Sequence, residues 1–336
     1  MKRKLILTFV AILLILIFVV TFKKVNTNEE KIKLATIKVA EVTHSAFYAP
    51  LYVAIEKGYF RENGLDVELI LTPGADKVSA AVLSNDVDIG FAGAESAIYV
   101  YNGGEKDYLQ IFSGLTKRDG QFILSRTKKD NFSLADLKGK EILVGRAGGM
   151  PSINFLNALK NEDINPDEIN INFSVEFAAL SGSFVGGMGD YVNLFEPTAT
   201  SVSKEGFGYI VASIGQLSGE VPYTTFYARK SFIEKNEDII VKFTTALNKA
   251  LEYTHTNSAK DIAEVILPQF SSISLDDLTL IVDNYKKVDS WYGDTVVPEE
   301  HFVNLEDMMK DNKLLDDYVP YKNLIKNYHY EQVINN

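Results

Sequence analysis

A chain of 336 residues, 46% hydrophobic and 24% charged, is long enough for two lobes and too apolar for disorder to be its default state. It has no cysteine, which excludes disulfides, thiolate catalysis, iron–sulfur clusters and cysteine-ligated zinc. The net charge of −11 hides an asymmetry: residues 1–24 hold five of the 34 basic side chains and no acid, so the remainder carries −16 and repels nucleic acid at long range.

The chain opens on Lys2, Arg3 and Lys4, followed by LILTFVAILLILIFVVTF at 5–22. About 18 apolar residues just span a bilayer as a helix. The basic cluster in front of them predicts a body outside the cytoplasm. Residues 1–24 read as a membrane anchor or a signal peptide. The uncleaved anchor is favoured, because no small-x-small cleavage site follows and no cysteine can carry a lipid. The polar stretch 25–34 reads as a linker.

Strands and helices then alternate. Ile37–Val42 is a predicted strand, and Pro50 opens a helix that Gly58 stops. LDVELIL (65–71) alternates with period 2, 77–85 suits a helix, 88–93 a strand and 94–102 a helix ended by Gly103-Gly104. Residues 108–115 and 121–126 are strand-like. LADLKGKEILVG (134–145) turns into another strand, and the next helix carries Ile153, Leu156 and Leu159 on one face. Short strands follow at 190–194 and 209–213, and 222–230 is the last. Ile240, Phe243, Leu247, Leu251 and Thr254 then keep helical spacing, and Ser274 with Asp277 suits a capped helix start. This order predicts an α/β protein with two lobes and a helical C-terminal part.

Ligands of such sheets bind at strand carboxyl ends, beside helix N-termini. Four loops occupy that position: THSAFYAP (43–50), TPGAD (72–76), AGAES (92–96) and GRAGGMPS (145–152). Their small residues let a ligand approach backbone N–H groups, and Ser45, Ser96 and Ser152 add hydroxyls. For any one of them alone a purely structural role is the better reading, since strand-to-helix turns need glycines and caps anyway. None matches G-x-x-x-x-G-K-[ST], which disfavours nucleotide hydrolysis.

APLYVAIEKGYFRENGLDVELI (49–70), VLSNDVDIGFAGAES (82–96), DLKGKEILVG (136–145), FEPTAT (195–200) and VPYTTFYA (221–228) resemble the substrate-binding proteins of bacterial ABC importers. The nearer group is the nitrate/sulfonate/taurine and thiamine-precursor one, and the resemblance covers residues 35 to 290. It implies a type II periplasmic-binding-protein fold. Lobe 1 would comprise 35–115 plus 223–336 and lobe 2 116–222, with a two-crossover hinge near Leu115–Gly120 and Pro222–Phe226. A small molecule would be captured by hinge closure and delivered to an ABC permease with its ATPase subunit. No cofactor or metal is implied, and a monomer is expected. Two departures stand out: Gram-positive members usually carry a lipobox cysteine, and the pyrimidine synthases that share this fold use a cysteine cluster. Both are absent here.

Carried onto this chain, the cleft positions are His44, Ser45, Phe47 and Tyr48; Gly74 and Asp76; Ala94, Glu95 and Ser96; Arg146, Gly148, Gly149 and Ser152; Asp190, Tyr191 and Glu196; and Tyr223 and Thr224. Arg146 would pair with a sulfonate or carboxylate. The family makes a sulfonate-like or other small oxyanion the first expectation. The acids Asp76, Glu95, Asp190 and Glu196 and the aromatics at 47, 48, 191, 195 and 223 suit a thiamine-precursor pyrimidine or similar nitrogenous ring. Catalysis is disfavoured: His44, His255, His301 and His329 show no metal-ligand spacing, and no G-x-S-x-G elbow occurs. A ligand-sensing module for a membrane partner is the rival class.

Overall fold

A computed structural model describes residues 34–327. The expected anchor or signal segment lies outside them.

Ten strands form two five-stranded sheets. Strands β1 (Ala35–Glu41), β2 (Leu65–Leu71), β3 (Ile89–Ala92) and β4 (Leu109–Thr116) are joined in the first sheet by the last strand of the chain, β10 (Thr224–Arg229), in the order β2-β1-β3-β10-β4. The second sheet is built from β5 (Gln121–Ser125), β6 (Glu141–Leu143), β7 (Asn170–Asn172), β8 (Tyr191–Phe195) and β9 (Tyr209–Ser213), in the order β7-β6-β8-β5-β9. Each sheet with its helices is one lobe. β10 enters antiparallel between β3 and β4, with Phe226 opposite both Phe91 and Ser113.

Local sequence accounts for the placement. β4, LQIFSGLT, is buried along its whole length although it is the last strand in the order. Its free edge is covered by the C-terminal segment: Ile325 bridges Ile111, and the Lys326 N–H donates to the Ile111 carbonyl. Such cover removes an exposed edge that would template pairing with other chains. β2, which alternates, keeps partly exposed positions. The helix Glu237–Thr256 buries Ile240, Phe243, Leu247, Leu251 and Thr254, the stripe its spacing predicts. Ser274 caps the helix Leu275–Lys287 by accepting the Asp277 N–H at 3.1 Å.

Lobe 2 is centred on Ile123, Ile142, Val144, Phe155, Leu159, Tyr191 and Ile214. The chain passes between the sheets at residues 117–120 and again at 214–223. The C-terminal part touches both lobes. The Trp291 indole donates to the Phe47 carbonyl at 2.8 Å in lobe 1, whereas Asn304 donates to the Glu220 carbonyl and Asp311 ion-pairs with Lys160 of the lobe-2 helix Met150–Asn161.

Candidate ligand-binding cleft

The strand carboxyl ends of the two sheets face each other, and the four loops meet there. Ser45 is the N-cap of the short 3-10 turn Ala46–Tyr48, and its hydroxyl donates across the seam to the Glu196 carbonyl at 2.9 Å. Tyr99 donates to the Gly148 carbonyl at 2.9 Å, and Arg146 stands 3.5 Å from Asp76. These contacts span the lobes, so the cleft is closed.

The wall of the seam is aromatic. Phe47 lies 5.6 Å from Phe195, 5.7 Å from Tyr223 and 5.4 Å from Tyr48, and the Tyr48 ring meets Phe91 at 4.5 Å. Phe47 also fixes the first crossover: a Cβ on Gly120 would stand 2.6 Å from its ring, so only glycine fits. Phe177, exposed, reaches Phe195 at 5.7 Å and offers an aromatic edge to the mouth.

Glu95 holds the centre. It begins the helix Glu95–Asn102, is 3% exposed, and has no partner for Oε2 among the described residues. Burial pushes its carboxyl up to about 7, against the opposing pull of the backbone N–H groups of Glu95, Met150 and Ser96 and of the more distant Arg146 charge. Met150 is the first residue of the lobe-2 helix that follows GRAGG. The ready-made anion site at that helix N-terminus therefore already faces a carboxyl of the protein itself. Gly93 makes this approach possible, because a Cβ there would stand 2.0 Å from Glu95 Oε2 and 2.7 Å from Met150 Cγ. Gly93→Ala should force both flexible side chains aside and widen the seam. Small-angle scattering should then give a larger radius of gyration at unchanged helix content; an unchanged radius would show that the seam absorbs the methyl.

The remaining expected residues divide. Thr224 is buried at the start of β10, and Tyr223 stands against Phe47 and Phe195. Arg146 reaches the rim, 61% exposed and paired with Asp76. Gly74 and Gly149 are the N-caps of their helices, and Ala94 that of the Glu95 helix. Ser96 and Ser152 spend their hydroxyls locally, on the Gly93 and Gly149 carbonyls.

Four expectations require correction. His44 turns away from the seam: its Nδ1 lies 2.9 Å from Glu41 and its Nε2 3.0 Å from the Gln269 carbonyl, and the Glu41 contact raises its pKa. Tyr191 belongs to the lobe-2 core. Asp190 sits before β8, at the opposite end from Phe195, where its carboxylate accepts the Glu141 N–H. Glu196 is at the seam, but both its oxygens are spent. They accept from the Thr200 N–H at 2.8 Å, the Thr200 hydroxyl at 2.7 Å and the Asn284 amide at 2.9 Å.

Three residues went unread in the sequence. Asp119, Gln121 and Asn193 are all 0% exposed, and Asp119 Oδ2, Gln121 Oε1 and both side-chain polar atoms of Asn193 have no partner among the described residues. Gln121 and Asn193 share the face of the second sheet that carries Phe195, since Gln121 pairs with Phe195 and Ile123 with Asn193. Burial pushes Asp119 up to about 8, while the Gln121 N–H and the Tyr223 hydroxyl oppose that rise. An asparagine inside YVNLF was the available signal, because a polar residue amid a buried apolar run needs a reason.

Two α/β lobes joined twice, with an aromatic and polar seam between them, form the fold of the periplasmic binding proteins. The NMT1/THI5-like family model matches residues 45–260, and the chain belongs to that family. It is 43% identical over 293 residues to the putative binding protein YtlA of Bacillus subtilis (strain 168), covering 87% of this chain and 88% of that one. A 4-amino-5-hydroxymethyl-2-methylpyrimidine phosphate synthase of Aspergillus parasiticus is 26% identical over 251 residues, covering 69% of this chain and 71% of the synthase. Among solved structures, the alkanesulfonate-binding protein SsuA of Xanthomonas axonopodis pv. citri, bound to MOPS, superposes with a TM-score of 0.69 at 15% identity, covering 88% of this chain and 99% of that one.

Proposed function

We propose that this chain is the extracytoplasmic substrate-binding protein of an ABC importer, that its lobes close about the crossovers at 117–120 and 214–223, and that its solute is a small nitrogenous ring bearing an amino group. Residues 5–22 would anchor it to the membrane, and an ABC permease with its ATPase would receive the solute. The observation that carries the ligand reading is Glu95, a buried carboxyl at the seam with no cation in ion-pair contact among the described residues. A bare oxyanion placed there would meet that acid and the second acid Asp119. The guanidinium it would need, on Arg146, is at the exposed rim and engaged by Asp76. An aminopyrimidine suits the site, its plane against Tyr48, Phe195 or Tyr223 and its amino group toward Glu95. The pyrimidine named in the Aspergillus relative makes a rational probe.

Calorimetric titration of 4-amino-5-hydroxymethyl-2-methylpyrimidine tests this. Glu95→Ala should weaken binding by about tenfold or more, the worth of one buried hydrogen bond. Arg146→Ala should leave it within about threefold, as expected of an exposed pair. The reverse ranking would restore the oxyanion reading.

A further inference from the structure

Glu95 and Asp119 raise a question that ligand class alone does not answer. Both are fully enclosed, at 3% and 0% exposure, and each has a carboxyl oxygen without a partner. They act on the same two phenols, since the charge of each raises the pKa of Tyr48 and of Tyr223. No described lysine, arginine or histidine lies within ion-pair distance of either acid. Among the described residues no three His, Asp or Glu side chains gather as a metal group.

The surroundings are otherwise neutral or already committed. Facing Glu95 are the phenols of Tyr48, Tyr99, Tyr223 and Tyr227 and, across the seam, Arg146, which Asp76 engages. Facing Asp119 are Tyr223 and Tyr48. Its neighbours Arg118 and Lys117 are held by Glu220, and Lys117 also by Asp289. Glu41, which also acts on Tyr48, is bound to His44 and Tyr52. A carboxylate enclosed at either position, with no described cation beside it, would pay the cost of leaving water.

We propose that Glu95 recognises its solute as a neutral carboxylic acid, held in that form by its enclosure away from water and from any described cation. This rests on the nitrogenous-ring reading and adds the protonation state to it. A carboxylic acid is both donor and acceptor. Its O–H donates to a ring nitrogen while its carbonyl oxygen accepts from the adjacent amino group, so the N–C–NH2 edge of an aminopyrimidine is matched by two parallel hydrogen bonds. Below its pKa Glu95 already carries the proton; above it, binding takes one proton up from solvent. Ionisation removes the donor and leaves an oxygen facing the lone pair of the ring nitrogen, so capture weakens as pH rises. A glutamine has the same donor and acceptor at every pH.

The test is titration of the full chain with 4-amino-5-hydroxymethyl-2-methylpyrimidine between pH 6.5 and 8.5. Wild-type affinity should fall about tenfold or more across that range. Glu95→Gln should match wild type within about threefold at the lower pH and stay flat above it. A flat wild-type profile, or a Glu95→Gln loss as large as that of Glu95→Ala, overturns the proposal. Infrared spectra of the ligand-free protein separate the two layers. A protonated-carboxyl band in wild type at about pH 6.5 whose Glu95 component is lost in Glu95→Gln, while that of Asp119 stays, supports the neutral acid. Its absence overturns the neutral acid whether or not the pyrimidine binds, and failure of the pyrimidine alone overturns only the choice of solute.

Discussion

Glu95→Gln should make the protein more stable above neutrality and flatten its stability against pH. The sign follows from the direction of the shift. Burial lifts the folded-state Glu95 from 4.5 to about 7 and Asp119 from 3.8 to about 8. Between those values the native state binds more protons than the unfolded chain, so stability falls as pH rises. The contribution is complete below about pH 4 and is lost as pH climbs through about 7 for Glu95 and about 8 for Asp119. A gap of that size for Glu95 corresponds to roughly 3 kcal/mol. Urea unfolding at about pH 5 and pH 8.5 should therefore show a decline in wild type that Glu95→Gln and Asp119→Asn each reduce. Equal declines in all three proteins would mean that these carboxyls do not titrate on unfolding as their burial requires.

Glu196→Ala should be the most damaging single change at the seam. Its carboxylate, 1% exposed, satisfies the first turn of the helix Thr198–Lys204 through Thr200 and reaches the C-terminal helix Leu275–Lys287 through Asn284. Its backbone adds two further ties: the N–H donates to the Tyr285 hydroxyl at 3.0 Å, and the carbonyl accepts from Ser45. Removing the carboxylate strands three donors in a region closed to water, at a cost of about 3 kcal/mol or more. Thermal unfolding should drop by several degrees, with Thr200→Val and Asn284→Leu each costing less. A melting temperature unchanged within about one degree would show that water replaces the carboxylate.

These two acids illustrate what a sequence conveys and what it leaves out. The alternation of strand and helix was legible because periodicity reports which face is buried. The Ile240–Thr254 stripe is buried where its spacing places it, and β2 forms over 65–71 as its alternation predicts, although Leu71 at its end is exposed. The four loops were legible because glycines and helix starts mark strand carboxyl ends. Their convergence was not, since it depends on β10 returning from the far side of lobe 2 to lie between β3 and β4. The fate of each polar group was also hidden. Glu95 and Glu196 looked alike as acids beside small residues. One is left with a bare oxygen and the other is saturated, and only the packing of distant segments decides which. Tyr191 read as a stacking aromatic; it shares the face of Asn193 and Phe195 but starts β8 at the end away from the seam, where it packs in the lobe-2 core. Asp119 lies in the stretch that read only as a hinge crossover, and no local pattern reports its full burial.

The proposed solute site, with two buried acids that no described cation pairs, carries a consequence for specificity. Arg146, at the rim and opposed by Asp76, is placed to influence how a solute enters more than how tightly it is held. On the proposed reading, an aromatic wall would accept planar rings, and discrimination would fall to Glu95, Asp119 and the amides of Gln121 and Asn193, whose free donors and acceptors would penalise a solute that cannot pair with them.

The most direct test of this account is a head-to-head thermal-shift titration of the native protein with 4-amino-5-hydroxymethyl-2-methylpyrimidine, an alkanesulfonate and nitrate at about pH 6.5. Stabilisation by the pyrimidine and none by either anion is the predicted result; stabilisation by the sulfonate or nitrate, with the pyrimidine silent, would contradict it.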